Sequence, residues 1–315
     1  MRLDAEYVLP LRWDDDHDLD GLASYLDEVV RWIDVTVVDG SEQARFAAHA
    51  AAFPPQVRQV APASRRGNGK ACGVVSGLAL ARHERVVIAD DDVRHDRSSL
   101  IALVSGLRDA DLVVPQNVFV PRPWHARWDT ARSLVNRCAR NDYPGTYAVR
   151  RSILAGGYDV QTLFENLEME RTVRARGGRV RRRPDLFVPR RPPTARQFLG
   201  QRVRQAYDSL AQPMRMGGEL ALAPAMFALR RRPGILCLLF GASIVAAEIG
   251  RRRDHGRHVF SPSAALWAPL WVAERAVTSW IAVALRVRGG VPYAGLRMKR
   301  AATPLRRLRR ATEGA

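Results

Sequence analysis

The chain has 315 residues, 47% of them hydrophobic and 26% charged, a balance that supports a sizeable core and excludes wholesale disorder. Three widely spaced cysteines, Cys72, Cys138 and Cys237, exclude a disulfide framework and a zinc cluster and fit a reducing compartment. The net charge of +18 is uneven: residues 1–163 carry 20 Lys/Arg and 22 Asp/Glu, a balance of −2, whereas residues 164–315 carry 30 and 10, a balance of +20. Such asymmetry predicts one half that works in solution and another that faces an anionic surface, either nucleic acid or a membrane leaflet.

The opening MRLDAEYVLPLRWDDDHD has no apolar run of signal-peptide length, so export by that route is not expected. EYVLPL (6–11) reads as a short strand. DLDGLASYLDEVVRWI (18–33) spaces Leu19, Leu22, Leu26, Val29, Val30 and Ile33 for a helix. DVTVVDGS (34–41) is a β-branched run that stops at an Asp-Gly turn signal. EQARFAAHAAAF is a helix candidate ended by Pro54-Pro55, VRQV (57–60) a short strand, and GKACGVVSGLALARH (69–83) a helix of small residues able to pack close to a sheet. RVVIA (85–89) and DLVVPQ (111–116) are strands around the helix SSLIALVSGLRDA (98–110). This alternation predicts a doubly wound, mostly parallel α/β sheet, in which ligands bind beyond the carboxyl ends of the strands.

Asp39 and the triplet Asp90, Asp91 and Asp92 sit at such ends. Adjacent carboxylates repel, and hard oxygen donors without His or Cys favour Mg²⁺ or Mn²⁺, held together with substrate phosphates. If residues 90–92 are extended, Asp90 and Asp92 point the same way. The competing reading is a solvated acidic turn ahead of the next helix.

RRGNGKACGVVSGLALA, then a strand, then DDD, resembles the family-2 glycosyltransferases of the GT-A fold. The resemblance implies a catalytic domain over residues 1–212. It gives Asp39 a place at the base or ribose and Lys70 one on the nucleotide side. Asp90 and Asp92 would bind the metal and diphosphate, with Asp91 between them in the donor-binding set. The first strand departs from the family pattern: LPLRWDDD replaces the usual Pro and small polar run, which leaves Pro10 and Arg12 without a role.

DYPGTYAVRRSILAGGYD (142–159) looks like the strand and loop of the acceptor side. FENLEMERTVRARGGRV (164–180) resembles the helix that relatives begin with Glu-Asp. Here the Asp is Asn166, which cannot accept a proton. Glu165 is therefore the chosen general base, and Glu168, on the same helix face, the fallback. FLGQRVRQAYD (198–208) resembles the Gln-x-x-Arg-Trp helix through Gln201 and Arg204, with Gln205 in place of Trp. The missing Trp argues for transfer of one or a few sugars over processive polymerisation.

Residues 213–315 change texture. PGILCLLFGASIVAAEIG (233–250) is apolar but short for a membrane span. AALWAPLWVAERAVTSWIAVAL (264–285) has the length but carries Glu274-Arg275 near its centre. Arg230–Arg232 and Arg251–Arg253 bracket the first segment, and a single crossing would place one cluster on the wrong side. Two arrangements remain: short or re-entrant helices, or amphipathic helices lying in the interface. The basic runs bracket apolar helices instead of stacking aromatics, which favours a membrane over nucleic acid. The expectation is a metal-dependent, inverting glycosyltransferase at the cytoplasmic membrane face. It would take a nucleotide-diphosphate sugar and a lipid-linked or envelope glycan acceptor. The alternatives are a non-catalytic scaffold and a nucleotidyltransferase, the second disfavoured because VLPLRWDD lacks a Gly-rich loop.

Overall fold

The structure, a computed structural model, describes residues 2–15, 18–140 and 142–314. It divides into two compact units, one of Met1–Asn117, Pro144–Pro189 and Thr303–Ala315, the other of Val118–Tyr143 and Arg190–Ala302. A boundary after residue 212 thus falls inside the second unit, and the chain's last residues belong to the first.

In chain order, the first unit contains β1 (Glu6–Leu11), α1 (Leu19–Val29), β2 (Asp34–Asp39), α2 (Gln43–Ala52), β3 (Arg58–Val60), α3 (Gly69–Leu80), β4 (Arg85–Ala89), α4 (Arg97–Gly106) and β5 (Leu112–Phe119). The chain then makes α5 (Trp124–Cys138) of the second unit. It returns for β6 (Thr146–Arg150), α6 (Glu165–Ala175) and β7 (Val180–Arg190). The seven strands order as β3-β2-β1-β4-β6-β5-β7. β1 is parallel to β2 and β4, and β2 to β3, whereas β6 runs antiparallel to β4 and β5.

Side chains alternate across the sheet because a strand has a period of two. Tyr7, Leu9 and Val87 join Leu22, Leu26, Leu100 and Leu103 in one core layer. Val8, Val86 and Ile88 join Val74, Leu78, Met169 and Val173 in the other. The small residues of α3 let it lie close to the sheet: a Cβ on Gly73 would fall 2.7 Å from Pro10 Cβ, and one on Gly77 2.3 Å from Val8 Cγ1. Pro10 thereby acquires a packing role. The register Leu11↔Asp39 brings the carboxyl ends of β1 and β2 level.

The second unit is helical: α5, α7 (Ala195–Asp208), α8 (Pro213–Ala228), α9 (Pro233–Arg252) and α10 (Ala268–Val287), with a hairpin of β8 (Val291–Tyr293) and β9 (Leu296–Met298). Thr194 and Gln197 form a capping box at the start of α7. Pro233–His258 is the one helical stretch among the described residues long and apolar enough to cross a membrane. The charges that interrupt the 264–285 segment are turned inward: Arg275 is fully buried, and Glu274 Oε2 lies 3.4 Å from Arg202 Nη1, whose Nη2 is 3.0 Å from Asp129. The final helix, α11 (Leu305–Glu313), belongs to the first unit.

Candidate active site

Three elements of the first unit converge on one ammonium group. Asn68 caps α3 by accepting from the backbone N–H groups of Lys70 and Ala71. Its own amide donates to the carbonyls of Thr162 and Leu163, just ahead of α6. One side chain therefore sets the start of α3 against the start of α6. At these ends Lys70 Nζ lies 2.7 Å from Asp90 Oδ1 and 2.7 Å from Glu165 Oε1, and donates to Asn166 Oδ1 at 3.2 Å. Asn166 Nδ2 donates back to Pro144 O, so this amide bridges Lys70 and the segment ahead of β6.

Burial alone would pull the Lys70 ammonium toward neutrality. The carboxylates of Asp90 and then Glu165 more than reverse this and raise its pKa, so it stays charged. Tyr158 is a phenol pushed well above its ordinary value, first by burial and then by the Glu165 carboxylate. It remains a protonated donor beside that acid.

The acidic triplet is differently shaped from the extended segment expected. Val93 N donates to Asp90 O, closing a turn, so the alternation that would make Asp90 and Asp92 parallel does not operate. Asp90 N donates to Gly145 O at 3.0 Å, next to β6. Asp91 Oδ2 accepts from Trp13 Nε1, Trp13 N donates to Ser41 Oγ at 2.9 Å, and the Trp13 ring meets His49 edge-on. Trp13 thus ties together the loops after β1, β2 and β4. Sequence reasoning missed it; its only signal was an aromatic just past a buried strand.

Asp39 is fully buried. Its Oδ1 accepts from Ser41 N, and its Oδ2 is engaged by His49 Nδ1 at 2.6 Å and Gln59 Nε2 at 2.9 Å. In this geometry it shapes the Gly40–Ser41 turn instead of offering an open carboxylate. Glu168 is also fully buried and accepts from Thr303 N at 2.5 Å. Burial raises its pKa against that hydrogen bond, and it anchors the segment leading into α11. Gln201 and Arg204 lie on α7 in the second unit, with the Arg204 guanidinium over the Tyr293 ring at 5.5 Å.

As a metal site, the donor set is made of hard carboxylate oxygens, and no group of three His, Cys, Asp or Glu clusters among the described residues. One or two carboxylates completed by a substrate's phosphates is the usual way of holding Mg²⁺ or Mn²⁺. Asp90 and Asp92 carry oxygen donors of that kind.

No family model and no curated protein matches the sequence. Among solved structures, the chain is similar to the mannosyltransferase PcManGT of Pyrobaculum calidifontis in complex with GDP-Man and Mn²⁺. The identity is 18% over 89% of this chain and 88% of that one, with a TM-score of 0.50. This chain has the GT-A fold. Shorter similarities reach the mannosyl-3-phosphoglycerate synthase of Rubrobacter xylanophilus (16% identity, 62% of this chain and 69% of that one, TM-score 0.42). They also reach the glucosyl-3-phosphoglycerate synthase of Mycobacterium tuberculosis in complex with Mn²⁺, UDP and phosphoglyceric acid (19%, 65% and 76%, TM-score 0.44). In GT-A terms, the Lys70 cluster sits beyond the carboxyl end of β4, where ligands of such sheets bind.

Proposed function

We propose that the protein is a hexosyltransferase that moves a sugar from a nucleotide-diphosphate donor to an acceptor hydroxyl, with inversion at the anomeric carbon. The observation that carries this reading is the ion-paired cluster in which Lys70 joins Asp90 to Glu165. It places a fixed positive charge and a carboxylate side by side, which suits a leaving diphosphate and an attacking hydroxyl.

Asp90 and Asp92 would hold Mg²⁺ or Mn²⁺ with the donor diphosphate, and the ion, when bound, would offset charge developing on the leaving group. Lys70 neutralises the same diphosphate from the α3 side. Glu165 Oε takes the acceptor proton as the acceptor oxygen bonds to the anomeric carbon and the bond to the diphosphate breaks. Tyr158 remains protonated. Asp39 and Asp91 act through the Ser41 and Trp13 loops that face the nucleotide, and Gln201 and Arg204 are assigned to the diphosphate and acceptor on the family resemblance. The +20 balance of residues 164–315 and the apolar stretch Pro233–His258 support a lipid-linked or envelope glycan acceptor at the cytoplasmic membrane face.

The test is release of nucleoside diphosphate from a panel of UDP- and GDP-sugars, with Mn²⁺, with Mg²⁺ and with EDTA. Turnover abolished by EDTA and restored by the metal is expected, together with its loss in Asp90→Ala. Metal-independent turnover would overturn the metal assignment. Calorimetric binding of donor with no turnover across the panel would assign the protein as a scaffold.

A further inference from the structure

In the second unit, α10 is apolar on its exposed side as well as on its buried one. Its buried side holds Ala268, Trp271, Val272, Ala276 and Ala282 together with Arg275, Thr278 and Ser279, and its exposed side still presents Leu270, Val277, Trp280 and Ile281. At 100° per residue these two sets lie on opposite faces. An apolar row left open on the far side of a packed helix is surface that water disfavours. Helix α9 also exposes apolar surface. Ile235, Leu238, Val245 and Ile249 are all exposed, with Leu238 72% and Val245 59% accessible. Their spacing of three, seven and four makes a single stripe along one side. An adjoining side is fastened to protein: a Cβ on Gly250 would fall 1.8 Å from the carbonyl oxygen of Leu134 on α5.

We propose that α9 and α10 form a docking face that enters one leaflet of a bilayer carrying anionic headgroups, with both helices in the plane of the interface and neither crossing. Charge identifies the occupant. Arg230, Arg231 and Arg232 precede α9 and Arg252 closes it, while Arg286 and Arg288 stand at the end of α10 and are exposed. An apolar stripe with cations at both ends matches acyl chains flanked by lipid phosphates. A second copy of the chain would set arginines against arginines at either end of the stripe. A crossing would carry one of the α9 clusters through the hydrocarbon and would strip α9 from α5.

This deepens the membrane reading given above and rests on it, without depending on sugar transfer. The experiment is flotation of the full chain with sealed vesicles of phosphatidylcholine alone or with one-third phosphatidylglycerol, followed by trypsin added outside. Flotation with the anionic vesicles is expected, with cleavage at both the Arg230–Arg232 and Arg251–Arg253 flanks. The exposed-site variants Leu238→Glu and Val277→Glu should each lower vesicle partitioning at least tenfold, as should replacing Arg230, Arg231 and Arg232 together by Ala. Their retained thermal unfolding would show that the fold is unharmed. Flotation with only one flank cleaved would overturn the one-leaflet placement and leave membrane attachment standing. A chain that stays in the aqueous phase, whether as a monomer or as a dimer dissociated by Val277→Glu, would overturn both.

Discussion

Lys70 has three N–H bonds to give and three acceptors to receive them: Asp90, Glu165 and Asn166. Such saturation fixes the side chain before any donor arrives, and preorganised charge is worth more in a half-buried site than in water. Removing the ammonium would leave two carboxylates facing one another and the diphosphate without its protein cation. We therefore expect Lys70→Met to lower kcat/KM by about 10²–10³-fold, raising the donor KM as well as lowering kcat. Glu165→Gln keeps a hydrogen-bond acceptor for Lys70 but cannot take a proton. Steady-state kinetics should show kcat down by about 10²–10⁴-fold with the donor KM little changed. A loss in Glu165→Gln that lies wholly in KM would remove the residue from the base role. Glu168 supplies the contrast, since its carboxylate holds Thr303.

At the scale of an element, α3 matters because its first turn carries Lys70 and its middle rests on β1. Gly77→Ala would drive a methyl to within 2.3 Å of Val8 Cγ1, and overpacking of this kind costs about 1–3 kcal/mol. Urea unfolding should report that loss, and donor affinity should fall with it as the helix shifts. Helix α3 was legible in the sequence because runs of small residues have few other uses, and β1, β2, β4 and β5 were legible because buried strands show largely apolar runs. Other elements were hidden for physical reasons. Helix α5 buries His125, Asp129, Asn136 and Arg137, so apolar periodicity could not reveal it. Strand β7, RVRRRPDLFVPR from residue 179, is an outer strand that keeps only Val188 fully buried, and its arginines read as loop. The site shows the same division. Asp90, Lys70 and Glu165 could be read from motif order. The inward turn of Asp39 depends on His49 and Gln59, and the Trp13–Asp91 contact spans 78 residues, so neither has a local signature. In α10, Glu274-Arg275 read as an obstacle to membrane contact because sequence gives a charge its position along a helix but not the face it will occupy once packed.

At the scale of the whole molecule, acid should act through a buried histidine that joins several elements of the first unit. The backbone N–H of His95 donates to Tyr25 Oη of α1. The ring contacts Ser99 of α4 through Nδ1 and Thr146 of β6 through Nε2, and Thr146 in turn donates to Ile88 O of β4. Burial holds the imidazole neutral and takes its pKa down to about 3, against the smaller pull of Asp96 in the other direction. An unfolded histidine titrates near 6.5. Between about pH 6.5 and about pH 3 the unfolded chain therefore binds one proton more at this position than the folded chain. Stability is complete above the upper limit and falls as the pH drops through the window, by up to about 1.4 kcal/mol per pH unit. His95→Gln removes the titration while keeping donor and acceptor atoms for Ser99 and Thr146. Denaturant unfolding of the full chain at pH 7, 6, 5 and 4 should give a shallower acid limb for this variant than for the wild type, even if the variant is less stable at pH 7. Parallel profiles would show that the acid sensitivity arises elsewhere, because the slope, not the offset, reports the proton at His95.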